Sequence, residues 1–156
     1  MDTHRPDTDG VHPTDRTRLS SFVPTAVSRR AIAVSLSTDR EIYGRDEPVE
    51  LFIVFDNRLP LPVDVPTPQQ RRWGWTIAGE LEASDERVYT GNRPATFSFS
   101  GGERKRISTI WNGRFERTAG RHESVVPEPG EYELRAFVAT HDGRYRPSDS
   151  TTIRIE

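Results

Sequence analysis

The stretch VVPEPGEYELRAFV, Val125 to Val138, decides the fold. Pro129-Gly130 supplies a tight turn, with Gly130 free to take a positive φ. Directly after it Tyr132, Leu134, Ala136 and Val138 fall on one side of a period-two run, the pattern of a half-buried strand. In immunoglobulin-like domains a tyrosine at such a corner returns its hydroxyl to nearby backbone and closes the turn.

Working outward, the same alternation recurs. AIAVSLS (residues 31–37) aligns Ile32, Val34 and Leu36. EPVELFIVFDN (47–57) aligns Val49, Leu51, Ile53 and Phe55, with Phe52 and Val54 opposite, as in a strand shielded on both sides. RRWGWTIAG aligns Trp73, Trp75 and Ile77, and ATFSFS aligns Phe97 and Phe99. ERKRISTIW aligns Ile107, Thr109 and Trp111 against Arg106 and Ser108, and TTIRIE closes with Ile153 and Ile155. No helical stripe interrupts them, and Pro and Gly punctuate the chain between strands. The expected fold is all-β: an immunoglobulin-like, two-sheet antiparallel β-sandwich of about seven or eight strands, with an up-and-down barrel as the lesser alternative. The first thirty residues, rich in Asp, Thr, Pro and Arg, lack either period and are expected to form a disordered tail. Residues 31–156 are expected to form the domain.

Composition narrows the function. The chain of 156 residues has a formal net charge of −2, which gives no pull toward nucleic acid or an anionic membrane. It has no cysteine, so disulfides and thiolate metal sites are excluded. Its first thirty residues hold no apolar run, so no signal peptide or membrane span is expected there, and the chain reads as cytoplasmic. Lys105 is the only lysine among 22 basic residues, an arginine bias that speaks of habitat more than activity.

Candidate chemistry is sparse. His122-Glu123 begins like a zinc-protease motif, but Val126 stands where the second histidine belongs. His4 and His12 lie in the tail, and His141-Asp142 precedes Gly143 as a turn, with no serine elbow to serve. The expectation is a non-enzyme without cofactor or metal. Trp73 and Trp75 share a strand face and could stack a sugar, but core packing is the better reading for them and for Trp111. The basic clusters Arg71-Arg72, Arg104 to Arg106, and Arg114, Arg117 and Arg121 are interspersed with acids and read as solvated faces.

Over a longer span the order of motifs resembles the BsuPI family, the intracellular proteinase inhibitors of bacilli. The residues that carry it are Glu47-Pro48-Val49, Asn57, Trp73-Gly74-Trp75, Trp111-Asn112-Gly113 and Val126 to Tyr132. The span covers about Thr38 to Ala139. Asn112 stands in place of the family's Asp, two tryptophans replace its Tyr and Phe, and Pro129 is extra. Trp73, Trp75, Trp111, Gly113, Gly130 and Tyr132 are the structural signature. The resemblance implies an immunoglobulin-like fold and inhibition of an intracellular subtilisin-like serine protease.

An inhibitor of that kind presents a rigid, extended loop. Two loops qualify, NGRFERTAGRHES (112–124) and NRLPLPVDVPTPQQ (57–70). The first is preferred, with Arg114, Phe115 and Arg117 making protease contact. The alternative is a non-inhibitory protein-interaction or assembly module that holds its partner by a sheet edge or a loop end. No nucleic-acid or membrane partner is expected, and a monomer is the favoured state.

Overall fold

The alternation in VELFIVFDN becomes the nine-residue strand β3 (Val49–Asn57), whose Val49, Leu51, Ile53 and Phe55 are buried to the last few Å². The computed structural model describes residues 23–86, 91–118, 120–141 and 144–156. Seven further strands of five residues or more accompany β3 among the described residues: β1 (Ile32–Thr38), β4 (Val63–Thr67), β5 (Trp73–Ile77), β7 (Ala95–Phe99), β8 (Arg104–Trp111), β11 (Gly130–Val138) and β12 (Ser148–Ile155). Shorter pieces fill the gaps: β2 (Ile42–Tyr43), β6 (Glu80–Leu81), β9 (Phe115–Arg117) and β10 (Glu123–Val125).

Two sheets face each other across the core, as an immunoglobulin-like sandwich requires. One runs β1-β3-β8 and the other β2-β12-β11-β5-β6. Neighbours are antiparallel except β2, which joins β12 in parallel, a departure from the all-antiparallel expectation. The pair β4–β7 continues the β3–β8 ladder beyond a corner, since Asp56 pairs with Arg104 and, past the corner, Val63 pairs with Phe99. Asn57 pins that corner. Its Nδ2 donates to the carbonyls of Leu61 and Ser100, both at 2.9 Å, and its Oδ1 accepts the Leu59 N–H at 3.1 Å. At 1% exposure such an amide is tolerable only because its capacity is met.

The tyrosine corner forms as expected: the Tyr132 hydroxyl donates to the Glu128 carbonyl at 2.6 Å. Gly130 sits at φ +155°. Gly113 is more demanding, because its φ is +82° and an added Cβ would run into the backbone carbonyl of Glu47. Trp75 and Trp111 are buried, and Trp73 packs against the core, 6.1 Å from Phe55. A sugar platform on Trp73 and Trp75 is therefore ruled out.

Two expectations need correction. The boundary at residue 30 falls inside a seven-residue helix, α1 (Thr25–Ala31), which lies against β4 and buries Ser28 and Ala31. Two small residues make no visible apolar stripe, so the sequence carries little sign of it. The rest of the expected tail, residues 1–22, lies outside the described residues. The second correction concerns β3. Phe52 on its outer side is exposed rather than shielded, because among the described residues no element covers that face.

Candidate functional site

The uncovered face is best described rung by rung, since register fixes which side chains stand together. On the outer side of β1-β3-β8, the first rung is Ala33, Asp56 and Arg104, and the second is Ser35, Val54 and Arg106. The third is Ser37, Phe52 and Ser108, and the fourth pairs Glu50 with Ile110. Small residues all along β1 leave a trough beside the taller side chains of β3 and β8. At the basic end it deepens into a groove of about 290 Å³ to which Arg58 also contributes.

Electrostatics divide the trough. Arg104 reaches Asp56 at 3.5 Å, whereas Arg58 and Arg106 have no carboxylate partner among the described residues. Three guanidinium groups against one carboxylate make this end positive in a chain whose formal charge is −2. The other end is apolar: Ile110 is 65% exposed and Phe52 39%. Glu50 is held down there by the Ser108 hydroxyl, which donates to it at 3.0 Å.

The edges of the two sheets also differ. The five-stranded sheet ends in the two-residue strands β2 and β6. In the three-stranded sheet the β1 edge is tied to β12, because the Leu36 N–H donates to Asp149 Oδ2 at 2.9 Å. The far side of β8 is unpaired among the described residues over eight residues. Long unpaired edges are where a further strand adds.

The residues expected to touch a protease are placed differently. In the 112–124 segment Phe115, Glu116 and Arg117 pair antiparallel with Val125, Ser124 and Glu123 rather than standing free as an extended loop. Phe115 is 6% exposed, packed 5.4 Å from Trp111 and 6.0 Å from Tyr132, so it belongs to the core and is not an exposed anchor. Arg114 is engaged by a two-pronged pair to Asp46, Nε to Oδ1 and Nη2 to Oδ2, both 2.7 Å. Arg117 reaches Glu80 at 2.7 Å and lies over the Phe115 ring. A three-residue strand is too short for its period to show which side faces inward, and the aromatic partners of Phe115 lie outside the segment.

Four carboxyls have lowered pKa values, each through a local donor. The Arg114 guanidinium lowers Asp46, and the Gly44 N–H with Arg40 lowers Glu47. The Tyr43 hydroxyl lowers Asp39, and the Ser100 N–H lowers Glu103. All four brace turns beside strand ends. A second cleft of about 530 Å³ lies by Trp73 and Phe97, but its arginines are spent internally: Arg71 on Glu82 at 2.7 Å and Arg72 on the Thr96 carbonyl at 2.9 Å. His122 is mostly solvated and pairs with Glu116 at 2.9 Å. Among the described residues no group of three or more His, Asp or Glu side chains converges as metal ligands, and no helix is long and apolar enough to cross a membrane.

A family model described as a family of unknown function, DUF7974, matches residues 20–156. The chain belongs to the DUF7974 family. Among curated proteins there is no significant match. Several solved structures resemble this DUF7974 domain. The CARDB domain of PF1109 from Pyrococcus furiosus, in its solution structure, is 14% identical with a TM-score of 0.49, covering 80% of this chain and 94% of that one. The crystal structure of that domain in complex with di-metal ions gives 14%, 0.48, 80% and 91%. Pseudomonas fluorescens alkylpurine DNA glycosylase AlkC, bound to DNA containing an abasic site analog, gives 13%, 0.49, 90% and 37%.

The sequence did not single out Ile110 and Arg58, and it gave Phe52 a shielded place and Arg106 a place on a solvated face. One signal was present: Ile110 falls on the Arg106–Ser108 side of an alternating strand, where a polar residue belongs.

Proposed function

We propose that this domain is a non-catalytic protein-interaction module that docks an extended segment of another protein along β8 and the outer face beside it. The observation that supports it is the exposure of Ile110 and Phe52 on adjacent rungs next to an unpaired eight-residue edge. A strand added there gains main-chain hydrogen bonds from the edge and side-chain contacts from the face. The rigid sandwich beneath lowers the cost of ordering the complex.

An inhibitor working through Arg114, Phe115 and Arg117 would have to unpack Phe115 from between Trp111 and Tyr132. Protease inhibition therefore enters this proposal only as one use a cell could make of the β8 face, with the protease supplying the docked segment. The test is selection of binders from a random peptide library on the full chain. Enriched peptides should bind Phe52→Ser and Ile110→Ser variants more weakly by about tenfold or more, since exposed apolar anchors carry most of such interfaces. Enriched peptides indifferent to both changes would overturn the proposal.

A further inference from the structure

The proposed docking reading leaves the chemistry of the partner open, and the rungs restrict it. A strand laid against β8 projects every second side chain onto the outer face, so those side chains meet Arg104, Arg106, Ser108 and Ile110 in turn. Of the first two positions, the one at Arg106 faces a guanidinium with no carboxylate partner among the described residues, and the one at Arg104 faces a guanidinium shared with Asp56 at 3.5 Å. Like charges placed opposite one another across a sheet are destabilising and opposite charges favourable. Arginine, weakly hydrated and forked, is suited to accept a carboxylate at such an exposed position. The last position meets Ile110, with Phe52 diagonal to it on the neighbouring strand.

Lys105 adds nothing to the outer face. It points inward, 3.2 Å from Glu103 and over the rings of Phe97 and Phe99.

Resting on the docking reading, we infer that the β8 face takes an acidic–apolar extended segment of a partner protein: carboxylates at alternate positions over Arg104 and Arg106, and an aliphatic side chain over Ile110 and Phe52. Along β8 the outer face presents Arg104 and Arg106, then Ser108 and Ile110 with Glu50 beside them, which fits such a segment better than a nucleic-acid strand, whose phosphates would continue on to meet Glu50 and Ile110. The period of two sets the selectivity. Acids at adjacent positions send one carboxylate to the opposite side of the strand.

The experiment uses the full chain and a fluorescein-labelled peptide, Leu-Thr-Ser-Thr-Asp-Thr-Asp, which is antiparallel-complementary to Arg104 through Ile110, read by anisotropy. An isomer with its two Asp residues adjacent, a peptide with Lys for Asp and a single-stranded oligonucleotide serve as competitors. Saturable binding is expected, weaker by about tenfold or more for the isomer and the Lys peptide, and for the protein carrying Arg104→Glu with Arg106→Glu. Arg106→Gln should give a smaller loss, and unchanged circular dichroism would show that these exposed positions leave the fold intact. Absence of binding, indifference to the arginine changes, or tighter binding of the oligonucleotide at the same face would each overturn the acidic-segment inference. Library-selected peptides that depend on Phe52 and Ile110 but carry no acids would overturn it too, while leaving the docking proposal standing.

Discussion

The two outer faces of the sandwich treat an outward-pointing aromatic in opposite ways. On the five-stranded sheet Phe137 points away from the core, yet it is only 7% exposed. Its partner in register is Gly74, where an added Cβ would lie 2.8 Å from the Phe137 ring, so the missing side chain is what lets the ring lie flat. The Arg146 guanidinium then covers it from 4.8 Å. The rest of that face is mostly Ser, Thr and charged residues, with Arg135 and Glu133 paired at 3.4 Å, and Ile42 on the short edge strand β2 is exposed on its own. On the three-stranded sheet Phe52 stands between two serines and Ile110 beside a glutamate, and among the described residues neither has a glycine to lie in or a cation above. This fold has the means to cover an exposed aromatic and uses them on one face only. Scattered apolar residues on a surface are ordinary, but two on adjacent rungs beside an open edge make a patch.

The largest expected effect removes the support that both faces share. Phe115→Ala should cost about 3–5 kcal/mol of unfolding free energy in a denaturant titration, as for other buried phenylalanines. A small effect would return Phe115 to the role of exposed contact. Phe137→Ala should come next, at about 3 kcal/mol, because its ring is covered although it faces outward. A loss near zero would mean the two outer faces do not differ.

Acid sharpens the contrast by locating the titrating groups at strand ends. Asp39, Asp46, Glu47 and Glu103 all have folded pKa values below their unfolded ones. Their contribution is complete above the ordinary carboxylate range and is lost as the pH falls below about 4, through the lowered folded values. Stability measured from pH 7 downward should fall mainly there, and Asp46→Asn should flatten that fall. Smallest of all, Phe52→Ser and Ile110→Ser should each leave stability within about 0.5 kcal/mol of the parent chain.

Much of the fold was legible because long strands repeat their period often enough to declare a face. Nine residues in β3 and nine in β11 place Leu51, Ile53 and Leu134 inward without ambiguity, and the Pro-Gly turn before Tyr132 marks its corner. What the alternation cannot show is whether the opposite face is covered. Phe52 and Val54 looked shielded because their own strand is apolar, yet cover depends on elements elsewhere in the chain. Phe115 failed for the complementary reason: β9 has three residues, and the side that faces inward is set by Trp111 and Tyr132 on other strands. Arg104 to Arg106 read as a solvated face, and Arg58's place beside it was invisible because Arg58 lies far away in sequence and reaches the groove only through the corner pinned by Asn57.

The central claim is that β8 and its outer rungs are the docking surface, and amide hydrogen exchange of the full chain with and without a saturating library-selected peptide tests it most directly. Added protection should concentrate on Arg104 to Trp111, with smaller effects on the neighbouring β3. Protection appearing instead on β11 and β12, or on the β9–β10 pair, with β8 unchanged, would contradict it.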